Sequence, residues 1–347
     1  MEADPRHAEF IVEQVTRDGA RTTTTPGNSQ TKDEDEEKEL VGEQATRYRA
    51  LAARCNYLSM DRPDMQFAVK EACREMAKPT VSAWSRLERI GQYLKGRPRL
   101  IWRFDWQSPV ATLDVYADAN WAGCHRTRTH TSGGCAMMGQ HCIKTWSKTQ
   151  ALIAKSSAES ELYGVVKASC VALGSLTLAQ ELGQEMKARV HVDATAAKGI
   201  VERAGLDKVR HIDVNVLWLQ EQEVRGRVPL SKIDGTRNPA DLMTKHLEAT
   251  KTAIHLNTIN LVFRSGRAEA AAQLHAMKAI DECETNRKRK IVKKKEVGDN
   301  VMSDDEETIM TATGQPKRRR SRKGRRIRKE KETKGTTIDK EDRLNRR

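Results

Sequence analysis

No Cys-x-x-Cys pair occurs anywhere in this sequence, and its cysteines number seven, at 55, 73, 124, 135, 142, 170 and 283. An odd count without paired spacing excludes a disulfide framework and a zinc ribbon, and it points to free thiols in a reducing compartment. The stretch Cys124, His125, His130, Cys135, His141, Cys142 fits no standard zinc-finger spacing. Long apolar runs are missing too. No stretch approaches the roughly 18 apolar residues of a membrane helix. Met1 to Asn28 carries charges throughout, unlike a signal peptide, so no membrane partner is expected. Aromatic residues make up only 4% of the chain, hydrophobic residues 37%, and the mean hydropathy is −0.71. These values are low for a fully folded chain of 347 residues, so part of it should carry no core.

The deficit lies at one end. Residues 284–347 hold 23 Lys+Arg against 12 Asp+Glu, and the remainder holds 39 against 36, so the net charge of +14 divides into +11 for the tail and +3 for the body. Basic Arg287 to Lys295, acidic Asp304 to Glu307 and basic Lys317 to Lys331 follow one another without apolar periodicity, the pattern of a disordered segment. Pro316-Lys-Arg-Arg-Arg-Ser-Arg-Lys-Gly-Arg-Arg suits a nuclear import signal or a phosphate-binding arm. The expected location is the nucleus or a cytoplasmic particle, and a solvated tail without a dedicated partner is the plain alternative.

Ahead of the tail the pattern changes several times. Residues 1–44 have linker composition: a short amphipathic stretch, His7 to Val15, then Thr22-Thr-Thr-Thr-Pro-Gly-Asn and the acidic run Asp33 to Glu39. Residues 45–106 are mainly helical. Helices are expected from about Gln44 to Ser59, from Arg62-Pro63-Asp64 to about Met76, and from Thr80 through Trp84, Leu87, Ile90 and Leu94 to a stop at Gly96 and Pro98. A strand is expected at Leu100-Ile-Trp-Arg-Phe. Residues 107–250 open with a strand, Thr112-Leu-Asp-Val-Tyr-Ala, and a hairpin from Ser132 to Trp146 turning near Gly139-Gln140. Helices at Ser157–Leu182, Thr195–Arg203, His211–Arg225 and Asn238–Leu247 then alternate with strands at Arg189–Val192 and Arg227–Ile233. Strands first, then strands alternating with helices, predict an α/β fold with a mixed sheet flanked by helices. Residues 251–283 read as weakly helical.

Four acids sit at junctions of these elements: Asp118, Glu161, Asp193 and Asp241. Each has a structural explanation by itself. Asp118 ends a strand, where α/β sheets place ligands, but Asp-Ala-Asn-Trp also reads as a turn. Asp114 shares its strand face by period two and is a decoy. Asp193 could serve only as a helix entry. Asp241 follows Asn238-Pro239 in a first helical turn, where the helix dipole favours an acid. On the long helix, Ser156-Ser-Ala-Glu159 fits a capping box. Glu159 and Glu161 lie about 200° apart around that helix, and periodicity does not choose between them.

Several strings recur in one order: Tyr116-Ala-Asp-Ala-Asn-Trp-Ala-Gly-Cys, Thr131-Ser-Gly-Gly, Trp146-Ser-Lys-Thr-Gln, Ser156-Ser-Ala-Glu-Ser-Glu-Leu-Tyr, Val192-Asp-Ala-Thr-Ala-Ala, Arg210-His-Ile-Asp and Asn238-Pro-Ala-Asp-Leu-Met-Thr-Lys. Upstream stand Thr25-Pro-Gly, Tyr48-Arg-Ala-Leu, Asn56-Tyr-Leu, Arg62-Pro-Asp and Tyr93-Leu-Lys-Gly. Over roughly residues 5–250 the chain resembles the reverse transcriptase connection and RNase H region of copia-type LTR retrotransposon polyproteins.

The resemblance implies a ribonuclease-H-like fold, with residues 45–106 as the thumb or connection segment and 1–44 as the end of the polymerase region. It implies an endoribonuclease that hydrolyses the RNA strand of RNA/DNA hybrids with two Mg²⁺ ions, Mn²⁺ being the other suitable ion. Carried over position by position, the metal-binding acids are Asp118, Glu161, Asp193 and Asp241, which selects Glu161 over Glu159. Lys144, Lys148, Lys155 and His211 become candidate nucleic-acid contacts. Two departures stand out. Asn120 occupies the place of a customary second Asp, and the loop Asp234-Gly-Thr-Arg-Asn-Pro lacks the His that many RNases H carry there. The paired catalytic Asp of a polymerase palm is not found, so a palm would be a partner supplied elsewhere. The contrasting reading is an inactive or domesticated fragment that binds nucleic acid without catalysis.

Overall fold

The computed structural model describes residues 1–272 apart from 18, 29–37, 124–126, 204 and 206–212, all within the compact unit Met1–Lys278. His211, Cys124, His125, most of the acidic run and the basic tail lie outside the described residues.

Four helices form the first layer: α1 (Pro5–Val15), α2 (Gly42–Leu58), α3 (Pro63–Arg74) and α4 (Val81–Gly96). Their ends follow local chemistry. Asp4 caps α1 by accepting from the Arg6 amide, Thr80 caps α4 by accepting from the Ala83 amide, and Pro5 and Pro63 stand where no amide donor is needed. Their apolar faces meet in one core that includes Ile11, Tyr48, Leu58, Met65, Leu87, Ile90 and Leu94. Within the stretch of linker composition, α1 places Ala8, Ile11 and Val15 in this core.

The second layer is a five-stranded sheet in the order β4-β3-β2-β5-β6. Its strands are β2 (Thr112–Asn120), β3 (Thr131–Met138), β4 (His141–Thr149), β5 (Lys187–Val192) and β6 (Leu230–Lys232). The first three pair antiparallel, and β5 and β6 join β2 in parallel. This order and these directions make the fold ribonuclease-H-like. Alternation divides each strand between two cores. Leu113, Val115 and Ala117 of β2 and Ala136 of β3 face the long helix α5 (Ser157–Glu181) with Leu162, Val165 and Ala168. Tyr116, Cys135 and Met137 face Leu242, Met243, Leu256 and Ile259. Two shorter helices, α6 (Thr195–Glu202) and α7 (Asp213–Val224), flank the parallel side.

Four expectations change. Residues 235–247 are not an α-helix but two 3-10 turns, Gly235–Arg237 and Pro239–Met243. Buried Asn238 caps the second by accepting from the Ala240 amide at 3.2 Å while donating to the Ala117 carbonyl at 2.9 Å, which ties the turn to β2 and stops it from extending. The 251–283 region contains α8 (Ala249–Thr258) and then a strand, β7 (Leu261–Arg264), with Asn260 at φ 59° turning the chain between them. β1 (Arg99–Trp102) pairs antiparallel with β7 in a separate ribbon, so the strand near Leu100 belongs outside the main sheet. Finally, α5 is long and apolar enough by length and composition to cross a membrane, although the sequence shows no unbroken apolar run. Its Ala, Val and Leu residues are interspersed with Ser, Gly and Thr, and its apolar face is a wall of the sheet core.

Candidate metal centre

Parallel strands β2 and β5 end on the same side of the sheet, and the start of α5 and the second 3-10 turn come to that end. Asp118 is the third residue from the end of β2 and is 1% exposed. Asp193 directly follows β5, and Glu161 lies in the second turn of α5. Asp118, Glu161 and Asp193 each present a carboxylate oxygen, and these oxygens all lie within 4.8 Å of one another. Glu159 has a different position. It accepts from the Lys155 amide at 2.8 Å, while its own amide donates to Ser156 Oγ at 3.2 Å, so it caps the helix.

Asp241 approaches the same centre from the 3-10 turn. Its Oδ1 accepts from Lys245 Nζ at 2.7 Å, and the same ammonium lies 3.3 Å from Asp118 Oδ1. The Thr244 hydroxyl donates to Asp118 Oδ2. Asn120 Nδ2 donates to the Thr244 carbonyl at 3.1 Å, so the residue in the customary acid position anchors the turn instead. Glycine makes this approach possible. Gly133 is the register partner of Asp118, and a Cβ on it would lie 2.5 Å from Thr244 Cγ2 and 2.9 Å from the Met243 carbonyl carbon.

Burial and mutual repulsion push all four acids upward. Burial is the largest cause in each case. Asp241 adds to the shift of Asp118, Asp118 adds to that of Asp193, and Asp193 adds to that of Asp241. Glu161 is pushed up to about 9 by burial and then by Asp118 and Asp193. Lys245 opposes every one of these shifts and is itself held above the usual ammonium range by Asp118 and Asp241. Three converging carboxylates with no histidine or thiolate among them are a hard, all-oxygen donor set, which fits a divalent cation such as Mg²⁺ or Mn²⁺ and does not fit zinc or copper.

The remaining sequence candidates lie elsewhere. Lys144 and Lys148 are exposed on β4, opposite Ala136 and Ser132, and Lys155 is exposed just before α5. Lys245 and Thr244 were missed as site residues. Their signal was in the sequence: Asp241-Leu-Met-Thr-Lys puts an ammonium four residues after an acid. The next residue, His246, is pushed down to about 4 by burial and packs edge-on against Phe67 of α3 with ring centroids 4.8 Å apart, so the turn is also held from the helical layer.

No protein-family model matches the chain. Among curated proteins it is similar to the retrovirus-related Pol polyprotein from transposon RE2 of Arabidopsis thaliana, 28% identical over 205 residues, or 58% of this chain and 14% of that protein. It is also similar to the Pol polyprotein from transposon TNT 1-94 of Nicotiana tabacum, 28% identical over 192 residues, or 55% of this chain and 14% of that protein. The chain thus spans about a seventh of the length of these relatives. Among solved structures, LC11-RNase H1, isolated from compost by a metagenomic approach, aligns with a TM-score of 0.32 at 11% identity, covering 39% of this chain and 94% of that one. The fold assignment rests on strand order and direction rather than on that score. Through the segment it shares with them, the chain belongs with the copia-type retrotransposon Pol polyproteins.

Proposed function

We propose that this chain is an RNase H-type endoribonuclease that hydrolyses the RNA strand of RNA/DNA hybrids, using two Mg²⁺ ions held by Asp118, Glu161, Asp193 and Asp241. The observation that carries this reading is the convergence of Asp118, Glu161 and Asp193 within 4.8 Å at the carboxyl ends of two parallel strands. Such an arrangement raises the pKa of every member and weakens the fold unless cations enter it, so a metal-binding purpose accounts for a feature that packing does not.

Bound ions would supply an activated water and charge stabilisation at the leaving oxygen. The chain's own residues do the rest. Asp118 lies between the acidic triad and Asp241, with Thr244 and Lys245 fixing both of its oxygens. Glu161 is delivered by a helix whose first turn is capped independently by Ser156 and Glu159, so its position does not depend on the metal. Lys144, Lys148 and Lys155 are exposed and available for the phosphates of an A-form-like hybrid, which is recognised by backbone and 2′-hydroxyl geometry rather than by base edges. A polymerase palm belonging to the same kind of polyprotein is the natural partner.

The test is cleavage of a labelled RNA/DNA hybrid by the full chain in Mg²⁺, beside Asp193→Asn. Cleavage by the wild type that drops at least ~100-fold in the variant is expected, in line with removal of a group that stabilises transition-state charge. Hybrid binding without cleavage by the wild type would instead identify a nucleic-acid-binding fragment and overturn the enzyme reading.

A further inference from the structure

Resting on the metal-centre reading above, we infer that Lys245 is an internal cation that holds the second metal position and must be displaced before a second divalent ion can enter.

The four acids divide into two groups. Asp118, Glu161 and Asp193 share one focus, within 4.8 Å of one another. Asp241 is engaged instead by Lys245, whose Nζ lies 2.7 Å from Asp241 Oδ1 and 3.3 Å from Asp118 Oδ1. A cation bridging Asp118 and Asp241 would therefore meet an ammonium already placed between those two carboxylates. The two cannot coexist there, because a divalent ion and an ammonium a few ångströms apart in a partly buried site repel strongly.

Charge counting gives the same result. Four carboxylates with Lys245 and one divalent ion carry a formal charge of −1. Adding a second ion with Lys245 still in place gives +1, whereas expelling Lys245 brings the site to zero. The ammonium also has a way out. Asp118 is buried, with its side chain 2% exposed, but the Lys245 side chain is 39% exposed and can turn to solvent without unfolding the turn. Its backbone stays anchored, since the Lys245 amide donates to the Asp241 carbonyl and the neighbouring Thr244 carbonyl accepts from Asn120. Occupancy of the two positions is thus unequal: the triad takes one ion freely, and the second ion competes with a tethered cation.

Mn²⁺ titration of the full chain, with free Mn²⁺ read by electron paramagnetic resonance, tests this without any turnover. Wild type should bind one ion tightly and a second at least ~10-fold more weakly, the ratio expected when an ammonium making two charge-assisted hydrogen bonds must be ejected. Lys245→Gln should tighten the second ion about tenfold while leaving the first nearly unchanged. Lys245→Arg, which keeps the charge, should retain the weak second ion and serves as the control for folding. Two ions of equal affinity in the wild type, or a second affinity that does not change in Lys245→Gln, would overturn the inference and leave the metal-centre reading intact. Failure of all three proteins to bind any Mn²⁺ would overturn that reading, and this inference with it.

Discussion

Asp64 in the helical layer and Asp118 in the sheet are both buried, at 5% and 1% exposure, but the protein surrounds them very differently. Asp64 accepts from Arg62 Nε at 3.0 Å and Nη2 at 2.8 Å and from the Tyr93 hydroxyl at 2.7 Å. Arg62 spends its remaining donors on the carbonyls of Arg97 and Pro98. Every charge there has a partner, and the network joins α3 to the end of α4. Asp118 faces two further carboxylates of its triad and shares one ammonium with a fourth acid. Matched charge marks a structural joint; unmatched like charge marks a place where an ion is missing from the fold's own chemistry.

The largest test of this contrast is Arg62→Ala. It strands a buried carboxylate and should cost about 3–5 kcal/mol, measured by urea denaturation. A loss below ~1 kcal/mol would mean that Asp64 is compensated by other groups and that the two sites are not opposites.

Next comes the metal-free pH dependence. Glu161 titrates near 9 in the folded protein against an ordinary value of 4.5, so the native state holds a proton that the unfolded chain releases. Its stabilising share is complete below about 4.5 and is lost as pH rises through about 9, and the raised Asp118, Asp193 and Asp241 act in the same direction. Thermal melts in chelator should therefore weaken between those limits. Mg²⁺ should reverse the decline, by about 2.7 kcal/mol at a hundredfold excess over its Kd, and Glu161→Gln should flatten it. Melts independent of pH and of Mg²⁺ would put the acidic centre on the same footing as Asp64.

A smaller effect separates the centre from its support. Gly133→Ala forces a methyl group against Thr244 and the Met243 backbone and should cost roughly 1–3 kcal/mol. It should also weaken Mn²⁺ binding by moving the turn that carries Asp241 and Lys245. Unchanged Mn²⁺ affinity in a destabilised protein would show that the turn does not shape the centre. The smallest change in stability is expected from replacing Lys144, Lys148 and Lys155 together by Ala, within about 0.5 kcal/mol per site because all three are exposed. Hybrid binding should nonetheless lose part of its salt dependence. An identical salt slope would remove these lysines from the interface.

Most elements were legible from local signals. The helix starts at Thr80 and Ser156, the proline at the head of α3, the hairpin at Gly139-Gln140 and the long α5 all follow from caps, turn chemistry and period. The readings that changed depended on distant partners. Asn238-Pro-Ala-Asp has every mark of a helix start, but the side chain of Asn238 is fastened to β2, 121 residues away in sequence, and the helix ends as a 3-10 turn. β7 has only four residues and becomes a strand through its pairing with β1.

The candidate site divides in the same way. The identity of the four acids, their placement at element boundaries and the Asp241-Lys245 spacing were all present in the order of residues. Whether Glu159 or Glu161 faces the centre was undecided by periodicity, since both border the apolar stripe of one helix. Tertiary structure decided it by giving Glu159 an amide to cap and turning Glu161 toward Asp118 and Asp193. It also decided that Lys245 stands between Asp118 and Asp241. Local sequence sets which groups a segment carries and how they alternate, but distances between charges 127 residues apart are set only when sheet, helix and turn pack together.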